Sequence, residues 1–332
     1  MLEKHISFSF LVITYNHELY VIEHLESIKY QIEMYGKDYI IDILINDDCS
    51  SDKTVELIQK WVSLNANLFN RVVVQPNIFN KGTCSSVISL LSLIKTKLFK
   101  LTAGDDIYSY ENIFEAALTS DNYAIISGYP LFIEEGILKE KLFSNYMMIA
   151  TEIIYAKSSI LKQFTYFSYN NAPNMFYTLD CVRDQRVVDF IQNFDVTEDW
   201  PMQIAISSYF PEKKIKYIKK VLVYYRRTSG STYIVANTRF FNDKLNIFNY
   251  LIQNAKSKFS KYRIENRLYA FKKSNKIFSR FINIDLYIFL LKSSLNLIKI
   301  CINMFTLDLN KNKHFRHYNF IKSKAIIHNQ NF

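Results

Sequence analysis

The run Leu101-Thr102-Ala103-Gly104-Asp105-Asp106 turns from apolar to acidic at a glycine and leaves two carboxylates side by side. Unshielded neighbouring carboxylates repel each other, so a fold that keeps such a pair commonly sets a positive charge beside it, most simply a divalent cation. The same pair also suits a strand-to-helix turn in which Asp caps the next helix. A second pair, Asp47-Asp48, follows Asn46, and the Asp and Ser residues through Asp52 are equally those of a turn and helix start. Polar residues gather again at Thr14-Tyr15-Asn16 and from Asn77 to Gly82. Farther on, Pro201 opens a helical pattern carrying Ile204, Ala205 and Tyr209, which puts Asp199 at or just before a helix N-terminus. The partial positive charge there favours an ionised carboxylate, ready to accept a proton, although Thr197 or Asp199 also fits a plain helix cap. The apolar run from Val221 ends in Arg226-Arg227, whose fixed guanidinium donors suit a diphosphate or, equally, a solvated strand end.

These clusters need a frame. Phe8–Thr14, Ile40–Ile45, Arg71–Gln75 and Leu98–Thr102 are short β-rich apolar runs. Between them, residues 19–34 carry Ile22, Leu25, Ile28 and Ile32 at near-helical spacing. Residues 52–64 do the same with Val55, Ile58 and Val62, and Ser50 or Ser51 is placed to cap that helix. Alternation of this kind predicts an α/β fold with a mainly parallel sheet covered on both faces, whose ligands bind beyond the carboxyl ends of the strands. Each polar cluster of the first hundred residues falls just after one of these strands. An aromatic residue, a carboxylate able to accept from a base N–H and a metal-binding pair at one sheet edge make a nucleotide-diphosphate site.

Composition sets the outer bounds. The chain has 332 residues, 49% of them hydrophobic and 22% charged, enough for one large domain or a domain with an appendage. Cysteines at 49, 84, 181 and 301 show no paired spacing and the six histidines no ligand pattern, so neither a structural zinc site nor a disulfide framework is expected. The N-terminus reads as a buried strand rather than a secretion signal, and a cytoplasmic protein is expected. The net charge of +10 is uneven: residues 211–332 hold 25 Lys/Arg against 5 Asp/Glu, leaving 16 against 26 in residues 1–210. A basic second half attracts nucleic acid, an anionic membrane face or a phosphorylated substrate.

Together, Val12-Ile13-Thr14-Tyr15-Asn16-His17-Glu18, Ser27-Ile28-Lys29-Tyr30-Gln31 and Ile45-Asn46-Asp47-Asp48-Cys49-Ser50-Ser51-Asp52-Lys53-Thr54 resemble the opening of the family 2 glycosyltransferases of the GT-A fold. The resemblance implies that Thr14, Tyr15 and Asn16, with Glu18 close behind, lie under the uracil and ribose of a UDP-sugar. It implies that Asp47 contacts the base, with Asp48 and Gly82 as further nucleotide contacts. It also implies that Asp105 and Asp106 hold Mg²⁺ or Mn²⁺ on the donor diphosphate, Asp106 being the expected direct ligand. The family motif commonly reads Asp-x-Asp-Asp, and here Ala103 stands in the first position. Glu198-Asp199 is similar to the family's Glu-Asp motif, which makes Asp199 the base and Trp200 a candidate acceptor contact. Arg226 matches the family's Tyr-Arg pair before a Ser/Gly-rich loop that closes over the leaving nucleotide. The implied reaction is inverting transfer to a saccharide, carried on a lipid diphosphate, in bacterial surface-polysaccharide (O-antigen or capsule) synthesis.

The expected division is a catalytic domain over residues 1–235 and a basic helical region over 236–332. In that region Asp285, Lys292, Asn296, Lys299 and Asn303 form one polar stripe on an otherwise apolar helix. It is expected either to lie peripherally on the inner leaflet or to pack on the catalytic domain, rather than to cross a bilayer. Other readings are a catalytically inactive glycan-binding relative and a nucleic-acid-binding protein. No nucleic-acid recognition motif appears, so no nucleic-acid partner is expected. A nucleotidyltransferase would carry a Gly-rich phosphate loop after the first strand, where Tyr15-Asn16-His17 stands.

Overall fold

The computed structural model describes residues 6–119, 123–227 and 237–330. Its central sheet contains β1 (Ile6–Thr14), β2 (Tyr39–Asp47), β3 (Arg71–Pro76) and β4 (Leu98–Ala103), in the order β3-β2-β1-β4 and parallel throughout. Strands buried on both faces need apolar residues at successive positions. Phe8, Phe10 and Val12 of β1 accordingly pack with Val21, Leu25 and Ile28 of the helix Val21–Tyr35, while Leu11 turns to Val87 and Leu90 of the helix Thr83–Leu93.

Register sets the strand ends level. Thr14 pairs with Asp47 and Ile13 with Ala103, and the ladder runs one residue farther through Asp48 N–H to Thr14 O (2.9 Å) and Gly104 N–H to Ile13 O (2.8 Å). The acidic loops after β2 and β4 therefore open beside the loop after β1. Gly104 sits where a Cβ would come within 2.6 Å of the Thr14 methyl, so only glycine lets the two loops meet.

The rest of the fold uses short strands. These are β5 (Ile107–Tyr108), β6 (Tyr123–Ser127), β7 (Leu131–Glu134), β8 (Ile137–Lys139), β9 (Met175–Tyr177), β10 (Lys214–Tyr217) and β11 (Val223–Arg226). They form sheets of order β10-β6-β9 and β5-β11-β7-β8. Antiparallel pairing of β11 with β5 carries Arg226 to the acidic loop, where its backbone N–H donates to Asp106 Oδ1 at 2.8 Å.

Several sequence expectations change here. Neither Ser50 nor Ser51 caps the helix Thr54–Asn65; Asp52 accepts from Thr54 N–H (2.9 Å), and the serines bind Asp47 and Asn16. Residue 235 is not a packing boundary. Ile247, Phe248, Leu251 and Ile264 share a core with Leu11, and Tyr318 and Ile321 of the helix Lys311–Gln330 pack with Leu131 and Tyr224. The expected striped helix is two, Ile284–Leu295 and Leu297–Phe305, bent by 74° at Asn296. Among the described residues no single helix is long and apolar enough to cross a membrane.

Candidate active site

A cleft of about 440 Å³ opens at the carboxyl edge of the central sheet. Thr14, Tyr15, Asp48, Gly82, Asp105, Asp106, Glu198, Asp199 and Arg226 all line it, although they are spread over more than two hundred residues of chain. Asn16, Glu18, Asp47 and Trp200 do not.

The first three of those absences share one cause. Asp47 is fully buried, and its carboxylate accepts from Thr14 Oγ1 (2.7 Å), Ser50 N–H (2.7 Å) and Ser50 Oγ (2.6 Å). Asn16, at φ 55°, donates its N–H to Ser50 Oγ and accepts from Ser51 N–H through Oδ1. Glu18 accepts from Lys53 N–H. These residues clip the β1 loop onto the β2 loop and present their neighbours Tyr15 and Asp48 to the cleft. The base-contact role expected of Asp47 does not fit this geometry, and of the two carboxylates it is Asp48 that lines the cleft. Trp200 also differs from expectation: its indole N–H donates to Phe164 O (2.9 Å), its ring packs edge-on to Phe248, and it does not line the cleft.

Asp48 organises the third loop. It accepts from Lys81 N–H (2.7 Å), Gly82 N–H (2.8 Å) and Asn77 Nδ2 (2.9 Å). Gly82 has φ +87°, and a Cβ there would lie 2.4 Å from Asp195 O, a backbone atom that no rotamer change can move. Gly82→Ala is therefore expected to push the loop off Asp48 and weaken nucleotide binding by about tenfold or more, read by titration calorimetry with UDP.

The acidic loop after β4 is asymmetric. Asp106 is 3% exposed, and one carboxylate oxygen is held by Arg226 N–H. Burial and then the charge of Asp105 push its pKa well above the usual carboxylate range, against the opposing pull of Arg226 and Lys100. The Asp105 carboxylate faces the cleft half-buried, with no hydrogen-bond partner among the described residues. Asp105 is thus the more accessible carboxylate of the pair, where Asp106 was the expected direct ligand. Behind them, the His24 ring meets Asp106 O at 2.8 Å, its pKa lowered to about 4 by burial, and buried Lys100 is lowered to about 7 for the same reason. No group of three or more His, Cys, Asp or Glu among the described residues forms a metal cage. A carboxylate pair beside space for a diphosphate is nevertheless the donor set that suits Mg²⁺ or Mn²⁺, which commonly take one or two carboxylates and complete their shell with substrate phosphate and water.

Arg226 braces this loop. Its Nε donates to Asp105 O at 2.7 Å, Nη2 pairs with Glu23, and the guanidinium lies 4.5 Å over the Tyr20 ring. Part of its expected diphosphate-binding capacity is therefore spent on the protein. The Ser/Gly-rich segment 228–231 expected to follow it lies outside the described residues.

On the far side, Glu198 immediately precedes the helix Asp199–Tyr209, and Asp199 occupies its first turn. Burial, then the adjacent Asp199 charge, raises the Glu198 pKa to about 8, so this carboxyl holds its proton near neutrality.

The helix Asn237–Gln253 lies in the expected basic helical region, but sequence reasoning missed that it contributes Arg239, Phe240 and Lys244 to the cleft. Arg239 pairs with Asp195 and donates to Asn80 Oδ1 at 2.6 Å. Lys244 Nζ lies 4.7 Å over the Trp200 ring. Asp243 is 3% exposed and accepts from the N–H groups of Asp195, Val196 and Thr197 at 2.8–3.1 Å, fixing the segment that leads into Glu198-Asp199. The one available signal was that Asp243 is the lone acid between Glu212 and Glu265 in a basic run. Among the described residues, His17 Nδ1, Ser86 Oγ and Thr197 Oγ1 are buried at the cleft wall without hydrogen-bond partners.

An open parallel sheet with acidic loops at its carboxyl edge and a carboxylate pair across the cleft defines a glycosyltransferase of the GT-A fold. The chain belongs to glycosyl transferase family 2, whose profile matches residues 9–181. Among solved structures it is similar to S. aureus TarS 1-349 in complex with UDP-GlcNAc, with a TM-score of 0.57 and 16% identity over 96% of this chain and 91% of that one. It is also similar to the mannosyltransferase PcManGT from Pyrobaculum calidifontis in complex with GDP-Man and Mn2+, with a TM-score of 0.54 and 11% identity over 96% of this chain and 86% of that one. Against a longer crystal structure of S. aureus TarS it spans 44% of that chain's length. Among curated proteins, none matches.

Proposed function

We propose that this glycosyltransferase transfers a sugar with inversion from a UDP-sugar to a hydroxyl of a saccharide acceptor. The observation that carries the reading is the placing of Glu198-Asp199 and the Asp105-Asp106 loop in one cleft, with Tyr15, Asp48 and Gly82 lining the same space. Tyr15, 44% exposed, offers a face for the base to stack on. Asp199 takes the proton from the acceptor hydroxyl as that oxygen attacks the anomeric carbon from the side opposite the diphosphate. The bond from that carbon to the diphosphate oxygen breaks, its electron pair leaves with UDP, and an α-linked donor gives a β-linked product. Asp105 with Asp106 would hold Mg²⁺ or Mn²⁺, which supplies charge neutralisation on the departing diphosphate. Arg226 keeps the acidic loop in register with β11 while that charge develops.

The acceptor we assign is a saccharide on a lipid diphosphate, in bacterial surface-polysaccharide synthesis on the cytoplasmic side. Two features support it: the basic half of the chain, and the run 166–177, whose Ala172, Pro173 and Tyr177 reach the cleft. The test is UDP release from a panel of UDP- and GDP-sugars with such an acceptor, in Mn²⁺ and in EDTA. Turnover of a UDP-sugar is expected, with EDTA lowering it on the order of 100-fold. Binding and turnover of none of the UDP-sugars would sink the proposal, and undiminished turnover in EDTA would remove the metal from it.

A further inference from the structure

The helices from residue 276 to residue 305 turn the usual arrangement inside out. In the helix Ile284–Leu295 the residues facing the protein are Asp285, Phe289 and Ser293, all buried. Asp285 pairs with Arg263 (2.5 Å) and Arg267 (3.6 Å), and Phe289 packs edge-on to Phe167 with ring centroids 5.2 Å apart. The outward side carries Leu291 and Leu295. The next helix, Leu297–Phe305, shows Ile298 and Phe305 outward and buries Ile300, and the helix Lys276–Ile282 exposes Ile277 and Phe281. These six side chains are between 63% and 91% exposed. Lone exposed apolar residues are ordinary on a protein surface; large ones repeated at helical spacing over three consecutive helices are not.

Charge indicates what covers them. Residues 256–305 hold 11 Lys/Arg and 2 Asp/Glu, and one of those acids, Asp285, is buried against arginines. Lys272, Arg280 and Lys299 are exposed around the apolar side chains. A second copy of the chain would bring two strongly positive surfaces together, an association that like-charge repulsion opposes. A bilayer with anionic headgroups offers hydrocarbon to the side chains and phosphate to the rim. We infer that the outward face of residues 276–305 docks the enzyme in the interfacial layer of an anionic lipid membrane. The helices lie in that layer and do not cross it. The two helices that meet at Asn296 have 12 and 9 residues and bend by 74°, so neither reaches across ~30 Å of hydrocarbon. The inward face ties the docked layer to the cleft wall: Arg267 also donates to Thr165 O, at the start of the segment that runs to Ala172, Pro173 and Tyr177.

The test is co-sedimentation of the full chain with phosphatidylcholine vesicles, with and without phosphatidylglycerol. The comparison is wild type against Leu291→Ser/Leu295→Ser/Ile298→Ser/Phe305→Ser, four exposed positions away from the cleft, with thermal melts to establish that both are folded. Binding to the phosphatidylglycerol vesicles is expected, weakened by added salt, released by alkaline carbonate, and lowered on the order of 100-fold in the quadruple variant. The charge variant Lys272→Glu/Arg280→Glu is expected to narrow the preference for phosphatidylglycerol over pure phosphatidylcholine. The inference is overturned by equal sedimentation of wild type and the quadruple variant or by no sedimentation of either. It is also overturned by a concentration-dependent dimer that the quadruple variant dissolves, or by retention in the membrane after carbonate. None of these readouts depends on donor turnover, so they stand apart from the proposed reaction.

Discussion

Replacing Asp199 with asparagine is expected to lower kcat by about 10³-fold and leave UDP affinity unchanged, because it deletes the proposed proton acceptor while Tyr15, Asp48 and Gly82 lie elsewhere in the cleft. Initial rates at saturating donor, set beside calorimetric UDP binding, separate the two effects. An Asp199→Asn enzyme that keeps its turnover would remove this residue from the mechanism. Glu198 should behave differently. Its pKa is raised to about 8, so near neutrality it is protonated, and Glu198→Gln reproduces that state without the option of ionising. The glutamine variant is expected to keep most of the activity and to lose the wild type's inflection near pH 8. The sign of the stability change follows from the same shift. A folded-state pKa above the unfolded value of about 4.5 means that the folded chain keeps a proton that the unfolded chain gives up, so this group makes the fold less stable as pH climbs from about 4.5 to about 8. Glu198→Gln should therefore be the more stable protein at pH 8, as read by chemical denaturation.

Arg226→Ala is expected to cost about 3–5 kcal/mol, a fall of roughly 5–10 °C in Tm, besides its effect on catalysis. The side chain is 5% exposed and its pairing partner Glu23 is 16% exposed, so truncation leaves a largely buried carboxylate without its cation beside the raised Asp106. Adding Glu23→Ala should recover part of the loss, because it removes the stranded charge; a double variant no more stable than Arg226→Ala would show that the pairing is not the cause. Arg226→Lys keeps the charge but cannot reach Glu23 and Asp105 O together, and should fall between.

Much of this architecture was legible beforehand, and the failures have physical causes. The four parallel strands stand out because strands covered on both faces must be apolar at nearly every position, and the polar clusters after them mark the carboxyl edge. What adjacent carboxylates do individually was not legible. Consecutive residues point to different sides of the backbone, so one member of a pair turns to the protein and the other to the cleft, as Asp47 and Asp48 do. The same rule separates Asp199 from Trp200, about 100° apart around a helix. The strands from β5 onward run from two to five residues, too short for a periodicity to register. The helix Asn237–Gln253 was assigned to an appendage because periodicity shows that a helix has an apolar face and is silent on which body that face meets.

The grip of Asp243 on the N–H groups of residues 195–197 also bears on the birth of the enzyme. A nascent chain that has emerged only through residue 235 already contains both acidic loops, the Glu198-Asp199 pair and Arg226, everything a motif search would demand. It lacks the Asp243 carboxylate that holds residues 195–197, together with Arg239 and Lys244, which finish the cleft wall. Synthesis from the N-terminus therefore delivers the last part of the cleft wall only after both acidic loops and the Glu198-Asp199 pair have been made.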